Sequence, residues 1–417
     1  MKIFNKANIL IPKNADLSKW SVVACDQYTS EPEYWESVEK NVGDNPSALN
    51  IVFPELYLKD EPEKRIEKIN KTMAEYLASD LFSELSDSFV LTVRKQRDGR
   101  ERTGIVGVVD LECYSFKKGE GTPIRATEGT VLERIPPRVK IRENAPLELP
   151  HILLLIDDEK RTVVEPVAAK KDSLEKIYDF DLMMDSGHLT GYRIDDADSV
   201  FDALSDLANP DTFKEKYDTD SDDVLIYAVG DGNHSLATAK TCWENLKPSL
   251  SDEEKETHPA RFALVEVMNI HDEALEFEPI HRVVFDVNPE EMMEEFFKFY
   301  PETSTEDNGG QHIRYIIGDK ATDIYVKNAD SNLAVGTLQN FLDSYIKENG
   351  GEVDYIHGAD VVKKLSNDAN TIGFLLPAME KSELFPTIIK DGALPRKTFS
   401  MGEAWDKRFY LECKKIR

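Results

Sequence analysis

The stretch "YAVGDGNHSLATAK", residues 227–240, decides how the chain is read. An apolar run breaks at Gly230-Asp231-Gly232-Asn233-His234 and passes at once into helical spacing. "DVLIYAV" (223–229) reads as a nearly continuous apolar strand. "SLATAKTCWENLK" (235–247) reads as a helix whose inner face is Leu236, Ala239, Trp243 and Leu246. Gly230 and Gly232 permit backbone conformations that a side chain forbids, and they let the chain approach a ligand closely. The free N–H groups of a helix start favour an anion, as does the helix dipole. The pattern therefore predicts an anion cradle over Gly230, Gly232, Asn233 and Ser235. His234 is its titratable ring, and Asp231 is placed to orient that ring or to bind a metal. A plain turn uses the same residues, since Asp, Asn and Ser also cap helices. Neither the P-loop lysine nor the full dinucleotide spacing is present.

Outward from this stretch, hairpins mix with strand–loop–helix units. "FVLTVRKQRDGRERTGIVGVVDLE" (89–112) predicts two strands around Asp98-Gly99, and "HILLLIDDEKRTVVEPV" (151–167) predicts another hairpin. "WSVVACDQYTSEPEYWESVEK" (20–40) predicts a strand, a polar loop and a helix capped by Thr29 or Ser30. "DEPEKRIEKINKTMAEYLASDLFSEL" (60–85) predicts an amphipathic helix with Asp60 as cap. "RFYLECKKI" (408–416) reads as a closing strand. The expected fold is α+β: a mixed-sheet core with a smaller C-terminal subdomain. The expected divisions are a main domain over 1–285, a smaller α/β subdomain over 286–370, and a segment 371–417 that returns to the main domain.

The chain has 417 residues and a net charge of −28. So negative a surface repels a phosphate backbone, which excludes nucleic acid as the main partner. No apolar run suits a membrane span or a signal peptide. The 4 cysteines, Cys25, Cys113, Cys242 and Cys413, match no zinc or disulfide pattern. The expectation is a cytoplasmic protein acting on a small molecule, with no nucleic-acid or membrane partner.

"VGDGNHSLATAK" resembles the "ADGHHRYETA" signature of the bacterial and archaeal DUF1015 family, whose function is unknown. "RTGIVGVVDLECY" (102–114), "IRATEGT" (124–130), "FEPIHRVV" (277–284), "GFLLPA" and "LPRKTFS" (394–400) resemble further family segments in the same order. The second of these retains Glu128 and Thr130, and the third retains His281 and Arg282. The turn also resembles that of the ParB/sulfiredoxin superfamily, which includes kinases of free serine. That resemblance implies a ParB/sulfiredoxin-like core. It also implies a nucleotide phosphate over 230–235, from ADP or ATP with magnesium, with His234 touching it. Two residues depart from these patterns. Ser235 replaces the family's arginine, so one hydroxyl stands where a guanidinium would clamp phosphate through two bonds. Kinase chemistry then needs another cation. Asn233 stands where sulfiredoxin carries its reactive cysteine, which excludes that chemistry.

Phosphoryl transfer needs positioning, positive charge and often a carboxylate base. The resemblance singles out Glu128 as that base, beside Asp231 and His234 as catalytic residues. Arg396, Lys397 and Thr398 form a basic, hydroxyl-bearing loop suited to phosphate. Arg125, Arg134, Arg138 and Arg142 form a local basic patch, in which Pro136 and Pro137 argue against one continuous helix. Cys25, Asp26, His188 and His281 are weaker candidates, and no histidine pair has a metal-ligand spacing. The resulting reading is a phosphotransferase acting on a small metabolite. Its alternatives are a non-catalytic nucleotide or small-anion binder and a metal-dependent hydrolase.

Overall fold

Three long strands show why a large sheet forms. In Phe82–Lys95, Glu101–Asp110 and Phe262–Asn269 successive side chains enter two different apolar clusters. Phe89, Leu91, Ile105, Val109, Ala263, Val265 and Val267 pack on one side, and Val90, Val106, Val108 and Leu264 on the other. A strand sends alternate side chains to opposite faces, so a sheet covered on both faces needs apolar residues at nearly every position. Each large aliphatic side chain so buried stabilises the fold by roughly 1.5–3 kcal/mol.

The computed structural model describes residues 2–58, 61–130, 132 and 135–417. Asp60 and Arg134 lie outside the described residues. The fold is mixed α+β. It divides into one unit of residues 1–275 and 402–417 and a second of residues 276–401.

The first unit carries a mixed sheet of 11 strands. Its central order runs Tyr114–Ser115, Ile124–Ala126, Tyr227–Asp231, Leu153–Ile156, Phe262–Asn269, Glu101–Asp110, Phe82–Lys95, His188–Ile194, Glu175–Asp181. Ile124–Ala126 runs parallel to Tyr227–Asp231, and Leu153–Ile156 runs antiparallel to it. The predicted hairpin over 89–112 is present, with Val90 opposite Val106. The second unit carries a 7-stranded sheet centred on Phe277–Phe285, which pairs with Glu352–His357, Ile372–Leu375 and Phe399–Met401.

Several expectations are corrected. Residues 151–167 form no hairpin: Leu153–Ile156 takes both its neighbours from distant sequence. The Asp158 carboxylate accepts from the Thr162 and Val163 amides and folds residues 158–163 into a loop. The helix at 32 is not capped by Thr29 or Ser30; it starts with Pro32 after Glu31, and no side chain caps it. Segments 20–25 and 408–413 are not full strands but meet at the isolated bridge Val23↔Phe409. Ile135–Arg142 is one helix, because its prolines occupy the first turn, where no intrahelical N–H bond is needed.

Candidate active site

The strand Tyr227–Asp231 reaches the sheet edge and breaks register between Val229 and Asp231, which places Gly230 at an irregularity. Gly232 follows with φ +78°, and an added Cβ would stand 3.0 Å from the Ile152 Cα. Both facts require glycine. The helix Asn233–Leu246 then begins with Gly232 as its N-cap residue and no side-chain cap. The strand, glycine turn and helix start read from the sequence are therefore present.

The Asn233 side chain turns into the protein. It is buried, its Oδ1 accepts from the Thr127 amide at 3.2 Å, and its Nδ2 donates to Thr127 Oγ1 at 3.1 Å. Thr127 in turn donates to the Val229 carbonyl at 2.6 Å. This knot ties the end of Ile124–Ala126 to the turn. Since Ala126 pairs in parallel with Val229, Glu128 emerges at the same sheet edge as Gly230 and Asp231. His234 and Ser235 occupy the first turn of the helix, both half-buried.

The C-terminal segment adds a cation that the sequence reading missed. Lys407 is buried, and its Nζ stands 3.4 Å from Asp231 Oδ2. Asp231 Oδ1 also accepts from the Gly232 amide at 2.9 Å. The main chain around Lys407 is fixed by two buried guanidinium groups. Arg94 donates to the Lys407 carbonyl at 2.9 Å and to the Trp405 carbonyl at 2.6 Å, and Arg102 donates to the Asp406 carbonyl at 2.8 Å. Arg408, ion-paired with Glu266 and Glu412, donates to the Pro150 carbonyl at 3.2 Å.

His151 was missed as well. It precedes Leu153–Ile156, whose start lies beside the end of Tyr227–Asp231 because the two run antiparallel. Its Nε2 stands 2.9 Å from Ser235 Oγ and its Nδ1 2.9 Å from the Tyr410 hydroxyl. Asp26 Oδ2 lies 4.0 Å from the same Nε2. Burial pushes the Asp26 carboxyl up, but charges and hydrogen bonds around it, the Gln27 amide and the Lys407 ammonium among them, hold it below its ordinary value. Burial first, then Asp26 and Glu55, push the Cys25 thiol up to about 12, which disfavours the thiolate a nucleophile needs.

Other candidates are engaged elsewhere. Arg125 donates to the Thr122 and Asp223 carbonyls, Arg138 pairs with Glu55, and Arg142 with Glu148, so all three patch residues are engaged within the fold, the last two by carboxylates. His188 pairs with Asp179 and Asp181 on a hairpin. Arg396, Lys397 and Thr398 belong to the second unit. There Thr398 donates to the Pro395 carbonyl at 2.6 Å, and Arg396 meets Asp343 at 3.1 Å. His281 accepts from the Leu376 amide at 3.2 Å, as a structural histidine does.

Among the described residues, Asp157, Glu159 and His271 place three possible metal ligands within 4.8 Å of one another. Lys216 lies 3.0 Å from Asp157 and 3.5 Å from Glu159, and Tyr217 donates to Asp157 at 2.6 Å. An ammonium group already supplies the charge a metal would bring.

The family model described as "Protein of unknown function (DUF1015)" matches residues 8–345. No curated protein matches the chain. Among solved structures, a conserved hypothetical protein from Pyrococcus furiosus aligns at 11% identity with TM-score 0.37, over 72% of this chain and 92% of that one. A free serine kinase in complex with AMP aligns at 12% identity with TM-score 0.39, over 74% of this chain and 91% of that one. No helix among the described residues is long and apolar enough to cross a membrane.

Proposed function

We propose that this chain, which belongs to the DUF1015 family of proteins of unknown function, is a nucleotide-dependent phosphotransferase. It binds a nucleotide phosphate over residues 230–235 and acts on a small hydroxyl-bearing metabolite. One observation carries the reading. The helix Asn233–Leu246 starts without a side-chain cap, and the buried Lys407 ammonium is held beside that start by Asp231. A helix N-terminus and a fixed cation together suit a phosphate. Lys407 supplies the positive charge that Ser235, in place of arginine, does not.

The roles follow from position. Gly230 and Gly232 let the main chain approach the phosphate, and His234 and Ser235 contact it from the first helical turn. Asp231 orients Lys407. Glu128, at the same sheet edge, is the base for the acceptor hydroxyl. ADP or ATP is the donor, and magnesium enters with it to offset phosphate charge.

Thermal unfolding with ADP, ATP, GTP or phosphate, with and without Mg²⁺, tests this. A ligand at 100 times its Kd stabilises by roughly 2.7 kcal/mol. The midpoint should rise with at least one nucleotide, and His234→Ala and Lys407→Met should each reduce the rise. No rise with any nucleotide overturns the proposal. Binding without phosphoryl transfer to any hydroxyl acceptor points instead to a non-catalytic binder. Metal-dependent phosphate release without an acceptor points to a hydrolase.

A further inference from the structure

A chain of hydrogen bonds enters the turn from behind. The Cys25 amide donates to the Tyr410 hydroxyl oxygen at 3.1 Å. That hydroxyl lies 2.9 Å from His151 Nδ1, and His151 Nε2 lies 2.9 Å from Ser235 Oγ. His151 and Tyr410 are buried, at 7% and 3% exposure. Tyr410 is delivered there by the main-chain pairing of 22–24 with 408–410, in which Ala24 N donates to Arg408 O and Tyr410 N to Val22 O.

The direction of this hydrogen-bond chain is set by its first member. A backbone amide can only donate, so the Tyr410 oxygen is an acceptor at that contact. The phenol keeps its proton, because burial and then Cys25 and Asp26 push its pKa well above the ordinary value. That proton has two takers, His151 Nδ1 and the adjacent Cys25 thiol. The thiol stays protonated, with its pKa pushed up to about 12, and a neutral thiol accepts weakly. The imidazole nitrogen is the stronger acceptor. With Nδ1 accepting, a neutral imidazole carries its own proton on Nε2. Ser235 Oγ, at 2.9 Å, is within hydrogen-bond reach of that proton; Asp26 Oδ2, at 4.0 Å, is not.

Ser235 is then an acceptor toward His151, and its own proton is left to point elsewhere. Thr238 and Thr241 on the same helix donate to the carbonyls four residues back, at 2.7 and 2.8 Å. Ser235 makes no such bond among the described residues. It is the third residue of the helix, in the turn whose amide groups face the cradle.

We infer that Tyr410 and His151 are positioning residues that fix Ser235 as a hydrogen-bond donor to a phosphoryl oxygen bound at the turn. This rests on the phosphate reading of residues 230–235. On this assignment His151 takes no proton from Ser235, and Ser235 is not a phosphorylated intermediate. The favoured ligand is one whose oxygens only accept, as in a fully ionised phosphate.

Two measurements on the full chain test this. The first is the His151 tautomer, read by long-range proton–nitrogen correlation on protein with ¹⁵N-labelled histidine. Wild type should show a protonated Nε2 and a bare Nδ1, and Tyr410→Phe should lose that preference. The second is calorimetric titration with inorganic phosphate and with ADP. Ser235→Ala and Tyr410→Phe should each weaken binding by about ten-fold, the size of one charge-assisted hydrogen bond. Ser235→Thr should restore it. A protonated Nδ1 in wild type overturns the relay. Unchanged affinity in a folded Ser235→Ala overturns the donor role. Absence of binding by wild type to both ligands overturns the phosphate reading and the donor role with it, and the tautomer then still reports on the relay alone.

Discussion

The turn at 230–235 and the loop at 394–400 read alike in sequence and differ in structure. Both combine small, polar and hydroxyl-bearing residues, and both suit an anion on composition. In the turn a helix begins without a side-chain cap, and a buried lysine is fixed beside it. In the loop the polar groups satisfy one another. Thr398 bonds Pro395, Arg396 meets Asp343, and the fully buried Arg282 donates to the Arg396 and Lys397 carbonyls, each at 2.9 Å. Donor-rich composition does not make a site. A site needs donors that the fold leaves facing outward, and a charge that the fold cannot move.

The comparison breaks most readily at Arg282. Its guanidinium also donates to the Ile280 carbonyl and stacks over the Tyr355 ring at 4.9 Å. Arg282→Met should leave buried carbonyls unpaired and cost about 3 kcal/mol or more in urea unfolding. A loss below about 1 kcal/mol would show that the loop does not depend on this group.

His281, beside it, gives a pH test. Burial first, then Arg282 and His357, push its pKa down to about 4 from the ordinary 6.5. The folded form therefore holds fewer protons than the unfolded form between these values. Its contribution is present in full above about pH 6.5 and is lost as pH falls toward 4, by up to about 3 kcal/mol. His281→Gln should flatten this part of the stability–pH curve. An unchanged slope in that variant would reassign the effect to other groups.

The two regions also share a left-handed residue, but of different kinds. Gly232 has φ +78° and Lys397 has φ +54°. Gly232→Ala should destabilise by about 1–2 kcal/mol through backbone strain alone, and more through the contact with Ile152. Lys397→Gly should relieve strain and stabilise by about 0.5–1 kcal/mol, less the chain entropy that glycine adds to the unfolded state. Opposite shifts in equilibrium unfolding, the larger at Gly232, would fit. A neutral Gly232→Ala would mean that the turn relaxes, and would weaken the case for a rigid cradle.

What was legible in the sequence was local. The apolar run ending in Gly230-Asp231-Gly232 announces its strand, turn and helix because each signal lies within a few residues of the next. The hairpin over 89–112 was legible for the same reason, through Asp98-Gly99. The groups that the structure sets beside the turn come from far away. Lys407, Tyr410 and His151 lie in short extended segments without periodicity, and one lysine among 51 basic residues carries no signal of its own. Their placement depends on the bridge Val23↔Phe409 and on Arg94 and Arg102 reaching over 300 residues along the chain. The failed hairpin at 151–167 has the same cause. Leu153–Ile156 looks local in pattern, yet both its partners are not.

Arg396 gives the smallest effect and the sharpest contrast with Lys407. Its pair with Asp343 is exposed, at 50% and 57% side-chain accessibility, whereas Lys407 and Asp231 are at 9% and 17%. Water screens the first pair, and holding two long side chains in one geometry costs much of what attraction remains. Arg396→Ala should therefore change stability by about 0.5 kcal/mol or less. It should also leave the response to ADP and phosphate intact, because in the structure its charge and main chain serve the loop. Lys407→Met, by contrast, removes a cation fixed at a helix start and should weaken that response while leaving Asp231 without its partner. Thermal shifts of both variants with ADP and with phosphate decide between them. If Arg396→Ala loses the response and Lys407→Met keeps it, the anion belongs to the loop, and composition would have been the better guide.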